Sequence, residues 1–154
     1  MLTAGALVVV ALLALGWWLS WVATRLDRVH QRVEGSWAAL DAALVRRAQR
    51  ATEAAGVAAA DPATGLLVAD AAARALEPDL SAPARERAES DLSHVLTLAA
   101  LPGLGREAER VRLARRLHND AVVTAQTLRH RPLVRLFRLA GHARVPEPFE
   151  MTEN

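Results

Sequence analysis

The chain has 154 residues, of which 52% are hydrophobic but only 4% aromatic, and it contains neither Cys nor Tyr. The lack of Cys excludes disulfides, lipid attachment to Cys and thiolate metal sites. All 19 basic residues are Arg, so the pI of about 10.7 overstates a formal charge of only +2, because without Lys, Tyr or Cys little neutralises the chain until very high pH.

From Leu2 to Val22 there is no charged side chain. At 1.5 Å per residue, roughly twenty residues cover the 30 Å of a bilayer's hydrocarbon core. Trp17, Trp18 and Trp21 crowd the C-terminal end of this run, where an aromatic belt sits at the headgroups, and Arg25 and Arg28 follow at once. Residues 1–24 therefore read as a single-pass transmembrane anchor. A secretory signal peptide is the rival reading. No Lys or Arg precedes the apolar run, and the small-x-small option from Ala14 to Gly16 would leave three Trp at the new N-terminus. Arg25, Arg28 and Arg32 lie after the span and none lies before it, so the positive-inside rule predicts a body on the cytoplasmic side of the cell membrane.

Beyond the anchor, apolar residues continue in coiled-coil fashion at spacings of three and four: Val22, Leu26, Val29, Val33, Trp37, Leu40, Leu44, Ala48, Ala51 and Ala55. No Pro interrupts them, which predicts one helix from inside the membrane to about Ala60. About 130 residues remain once the anchor is set aside, enough for one core.

Asp61 and Pro62 read as the N-cap and first turn of a second helix, Pro62 to Glu77, which Pro78 stops. Ser81 and Pro83 open a third, in which Glu86, Glu89 and Asp91 suit the N-terminal half of the helix dipole and Ala88, Leu92, Val95, Leu96 and Ala99 form the apolar face. Leu101, Pro102 and Gly103 close it. The fourth, from about Leu104 to His130, carries the seam Leu104, Ala108, Val111, Ala114, Leu117, Ala121, Ala125 and Leu128, and is the natural antiparallel partner of the first. No alternating pattern indicates strands, so the class is all-α. Residues 25–140 form the expected bundle, and 141–154, with Pro146 and Pro148, the expected extended or disordered tail.

Two stretches resemble the LemA family of bacterial membrane-anchored helical proteins. Arg32 to Arg47 reads RVEGSWAALDAALVRR, where the family has an Arg-Val-Glu-Asn-Ala-Trp start, an Asp four residues past the Trp and a basic pair. Ala114 to Val122 reads ARRLHNDAV and is followed by Arg131-Pro132, Leu136-Phe137 and Pro148-Phe149-Glu150, where the family has Arg, an aromatic, Asn-Asp-Ala-Val, a Pro, a Leu-Phe-Gly element and a final Phe-Glu. Ala88 to Leu92 matches an Ala-Glu-x-x-Leu segment. Departures are His118 for Tyr, Ala125-Gln126 for a Tyr-Asn pair, and Arg131 for an aromatic. The resemblance implies an antiparallel up-and-down four-helix bundle whose long first helix is continuous with the transmembrane helix. It brings no established reaction.

The residues themselves give few chemical leads. Trp37 sits on the seam and reads as core. Asp41 and Glu34 flank it, either solvated or paired across the interface with Arg115 or Arg116. Asn119 and Asp120, poor helix formers within a helix, suggest interhelical hydrogen bonds. His118 and Asp120, two apart, face different sides and form no catalytic pair. The five His show no metal spacing, and no phosphate loop or nucleophile elbow is present. We therefore expect no enzyme activity, cofactor or metal. Arg129 to Arg144 combines Arg with Leu and Phe. Arg135, Phe137 and Arg138, like Trp17, Trp18 and Trp21, suit an anionic lipid surface, or Leu133, Leu136 and Phe137 pack on the bundle end. Stacking residues and a continuous basic groove for nucleic acid are missing. The expected role is a non-enzymatic scaffold or adaptor whose partners are the membrane, unidentified membrane or cytosolic proteins, or its own copies in a homo-oligomer. The acidic middle segment is a candidate partner surface, and a lipid-binding module acting through the Arg-rich segment is the alternative.

Overall fold

The computed structural model of the chain describes residues 2–58, 61–130 and 145–152. Among these residues all regular structure is helical: α1 (Leu2–Ala58), α2 (Pro62–Ala75), α3 (Ala82–Ala99) and α4 (Gly105–Arg129).

The 57 residues of α1 give a rod of about 85 Å. Its N-terminal part is apolar on every side and fully open, with Leu7, Val8, Val9, Val10, Leu12 and Leu13 all more than half exposed. This stretch is long and apolar enough to cross a membrane. Farther along, one face is covered: Leu26, Leu40, Leu44, Ala48, Ala51 and Ala55 are buried, and Val22, Val29 and Val33 half-buried. The change happens without a break in the helix, because no Pro interrupts the run.

Local chemistry sets the other boundaries. Asp61 caps α2, accepting from Thr64 N at 2.9 Å and from Thr64 Oγ1 at 2.8 Å, and Pro62 takes the first helical position, where a missing N–H costs nothing. The helix ends at Ala75, two residues short of the predicted Glu77. Ser81 stands at the cap position of α3, although its hydroxyl makes no capping bond. That helix closes at Ala100 in the left-handed region, φ 46°, and Gly103, φ 85°, supplies the turn into α4.

The core falls into two clusters. In one, Ala48, Ala51 and Ala55 of α1 meet Val68, Ala71, Ala72 and Ala75 of α2 and Leu92 of α3. Small side chains let these helices approach closely, while each buries little area. In the other, Leu40, Ala43 and Leu44 of α1 meet Val111 of α4 together with Phe149 and Met151 from the end of the chain. A fully buried Leu of this kind contributes about 1.5–3 kcal/mol.

On α4 the covered positions are Val111, His118, Ala121, Val122 and Ala125, whereas Leu117 is exposed. Val111, Ala121 and Ala125 stand on the expected seam, but at its middle His118 takes the covered position expected of Leu117. A second departure lies between α1 and α3. Glu89, assigned from sequence to the helix dipole, is fully buried. Its Oε2 lies 2.6 Å from Arg47 Nη2, and Arg47 is itself buried. Arg47 also donates to Ser93 Oγ at 2.9 Å and to the Glu89 carbonyl at 3.2 Å. Arg85 then joins Glu89 at 3.2 Å to Asp41 at 3.0 Å, so four charges tie the two helices.

Candidate interaction site around the C-terminal strap

Residues 145–152, expected to be extended or disordered, have no regular structure but are firmly seated. Gln126 Nε2 donates to the Pro146 carbonyl at 2.9 Å, and Arg115 Nη1 donates to the Met151 carbonyl at 3.1 Å. Between them Asn119 binds Phe149 twice, donating from Nδ2 to its carbonyl at 3.2 Å and accepting its N–H at Oδ1 at 2.9 Å. These three partners lie along one side of α4 in the reverse order of the strap residues they hold. From α3, Glu86 Oε1 accepts the Glu150 N–H at 2.9 Å and Ser90 Oγ accepts the Thr152 N–H at 3.1 Å. Ser90 can accept because its own proton goes to the Glu86 carbonyl at 2.7 Å. The strap therefore fills the groove between α3 and α4, and every one of these bonds reaches its backbone rather than its side chains.

Side chains supply the apolar part of the contact. Phe149 and Met151 are 2% and 7% exposed, while Pro148, Glu150 and Thr152 face outward. That alternation at a spacing of two matches a chain lying flat in a groove. The Trp37 ring, from α1, forms one wall, 5.7 Å from the Phe149 ring centroid and 5.4 Å from that of His118, tilted by about 60° to each. Such pairs contribute about 0.5–1.5 kcal/mol beyond burial. Trp37 is 39% exposed, so the expectation of a core Trp is corrected. Its seam position meets the strap as well as His118 of α4, and the ring stays partly open to solvent.

His118 sits beneath this wall. Its Nδ1 lies 3.2 Å from Ser36 Oγ, whose proton goes to the Val33 carbonyl at 2.8 Å. Burial holds the imidazole below its usual pKa, and a bond to the Glu147 backbone works in the opposite direction.

The remaining candidates separate. Asp41 pairs with Arg85, not with Arg115 or Arg116. Glu34, Arg116 and Asp120 are exposed, so of the Asn119–Asp120 pair only Asn119 enters the site, and its partner is the strap rather than a helix. Trp17 and Trp21 are exposed, Trp18 is half-buried, and Arg25 Cζ stands 5.7 Å from the Trp21 ring centroid. Arg135, Phe137 and Arg138 lie outside the described residues. The residues that sequence reasoning missed are Ser36, Glu86, Ser90, Gln126 and Met151. Only Met151, two positions after Phe149, left a pattern that could have been read.

Beyond Thr152, the space between α3 and α4 opens into a cleft of about 200 Å³ lined by Leu96, Leu101, Leu104, Ala108, Arg47 and Arg112. Among the described residues no cluster of three or more His, Asp and Glu could hold a metal ion. The arrangement suits recognition of a peptide backbone, with two apolar seats for side chains at a spacing of two. No family model, curated protein or solved structure matches the chain.

Proposed function

We propose that the protein is a divergent LemA-like, single-pass membrane protein whose antiparallel up-and-down four-helix bundle stands on the cytoplasmic side of the cell membrane. There it serves as a non-enzymatic scaffold or adaptor for other proteins. The observation that carries this reading is the strap site. It joins by contact Trp37 and Asn119, one from each stretch on which the resemblance rests, through Phe149 of the final Phe-Glu, with His118 beside them where the family has Tyr. Segments 82 residues apart in sequence have a common physical reason to carry those residue types if they build one binding groove.

The order of the pairings supports the bundle topology. Along α1, Ser36 and Trp37 lie by His118 while Leu40 and Leu44 lie by Val111, a descending order on α4. Asp41 and Arg47 meet Arg85 and Glu89, an ascending order on α3. The unbroken passage of α1 from its open apolar end into the core would make the bundle a rigid extension of the anchor.

The alternative is anionic-lipid binding by the segment containing Arg135 and Arg138. Flotation of residues 25–154 with anionic vesicles, after circular dichroism has verified the helices, separates the two. The scaffold reading expects no flotation. Strong, salt-sensitive flotation lost on Arg135→Glu plus Arg138→Glu would replace it with the lipid reading.

A further inference from the structure

We propose that the groove between α3 and α4 is an exchangeable peptide site whose partner is the strap of a second copy of this chain, so that neighbouring bundles link by trading straps. The proposal rests on the scaffold reading in one respect, that copies share a bilayer.

Three features of the groove lead here. First, Asn119, Gln126, Arg115, Glu86 and Ser90 all bind strap backbone, and the specific part is the pair of seats filled by Phe149 and Met151. This is the division of labour found where proteins recognise extended peptides, with main-chain bonds for affinity and alternate side chains for selectivity. Second, a strap arriving from another copy would meet the same residues in the same register. Exchange therefore preserves every contact, and its cost is that of bringing two copies together. Copies anchored in one bilayer share height and orientation, which lowers that cost by raising effective concentration. Third, the chain has the reach. Gln126 already holds Pro146, so the strap begins within about a turn of the end of α4. The 14 residues from 131 to 144 can span at most about 50 Å. Two bundles side by side, each two helices across, have centres only about 20–25 Å apart.

The absence of Cys makes the test direct. The Thr152 N–H lies 3.1 Å from Ser90 Oγ, so Ser90→Cys on one full-length copy and Thr152→Cys on another, with different tags, report exchange when reconstituted together in vesicles and oxidised. The expected result is a covalent heterodimer. Its yield should rise several-fold when the Ser90→Cys copy also carries Phe149→Ala, which loosens that copy's own strap. It should fall to background when Phe149→Ala is placed on the Thr152→Cys copy. A doubly substituted single chain reports docking in the same molecule, and circular dichroism verifies the fold of each variant. No heterodimer despite closure of the double variant would overturn the proposal. So would a heterodimer indifferent to Phe149, or a double variant that fails to close. Failure of the shared premise would show separately, as full-length chain that does not stay with the vesicles on flotation.

Discussion

Asn119 on α4 and Phe149 near the end of the chain bind each other as two paired peptide groups would, the amide of one side chain matching the N–H and C=O of the other residue. The carboxamide supplies a donor and an acceptor at that separation, so the pair fixes the strap in register. Asn119→Ala leaves both Phe149 groups without these partners, and we expect a loss of about 1–3 kcal/mol. Chemical denaturation in detergent micelles measures it, and the Phe149 amide should show much faster hydrogen exchange. Asp120→Asn, one residue away on the open face, should change stability by less than about 0.5 kcal/mol.

If the strap exchanges as proposed, Phe149 and Met151 are buried in a segment that leaves its groove as a unit. A Phe→Ala substitution in a fixed core costs about 3–5 kcal/mol. Here the loss should stop at the docking energy of the strap, because beyond that point the strap simply detaches. Phe149→Ala combined with Met151→Ala should therefore cost less than the sum of the two alone. Additive losses would show that the strap unfolds only with the whole bundle.

The buried pair Arg47–Glu89 responds differently to single and double replacement. Glu89→Ala strands the Arg47 guanidinium in a covered site and should cost about 3–5 kcal/mol. Replacing both, Arg47→Met with Glu89→Leu, removes the desolvation cost together with the attraction and should come out near neutral or stabilising. Thermal melts of the three proteins test this.

His118 gives the fold a pH dependence whose sign is fixed by burial. Its folded pKa is lowered, so the folded protein favours the neutral ring. The associated stability is fully present above the ordinary imidazole pKa of about 6.5 and is lost as pH falls below it. The folded protein should lose stability between pH 7.5 and pH 5. His118→Gln should remove that part of the change, read as the difference between the two denaturation midpoints at each pH.

The helices were legible from sequence because their signals are local. Asp61 and Pro62 start α2, and Gly103 turns the chain into α4. The apolar run of α1 alone identifies its open stretch. The site was only partly legible. Leu117 and His118 both fit a seam of threes and fours, and hydrophobicity favours the wrong one. Glu89 looks like a dipole partner because the Arg47 it needs is 42 residues away. The strap carries no helical period at all, and its burial depends on a groove that exists only once α1, α3 and α4 have assembled.

If a membrane-spanning α1 carries the bundle on the cytoplasmic side, as proposed, a thiol on the bundle is shielded in intact cells. Ser81 is exposed and its hydroxyl makes no capping bond, so Ser81→Cys introduces a unique thiol on the bundle at little structural cost. Labelling with a membrane-impermeant maleimide in intact and opened cells then gives the answer. The expected result is labelling only after the cells are opened, whereas labelling in intact cells would put the bundle on the outer face and refute the proposed orientation.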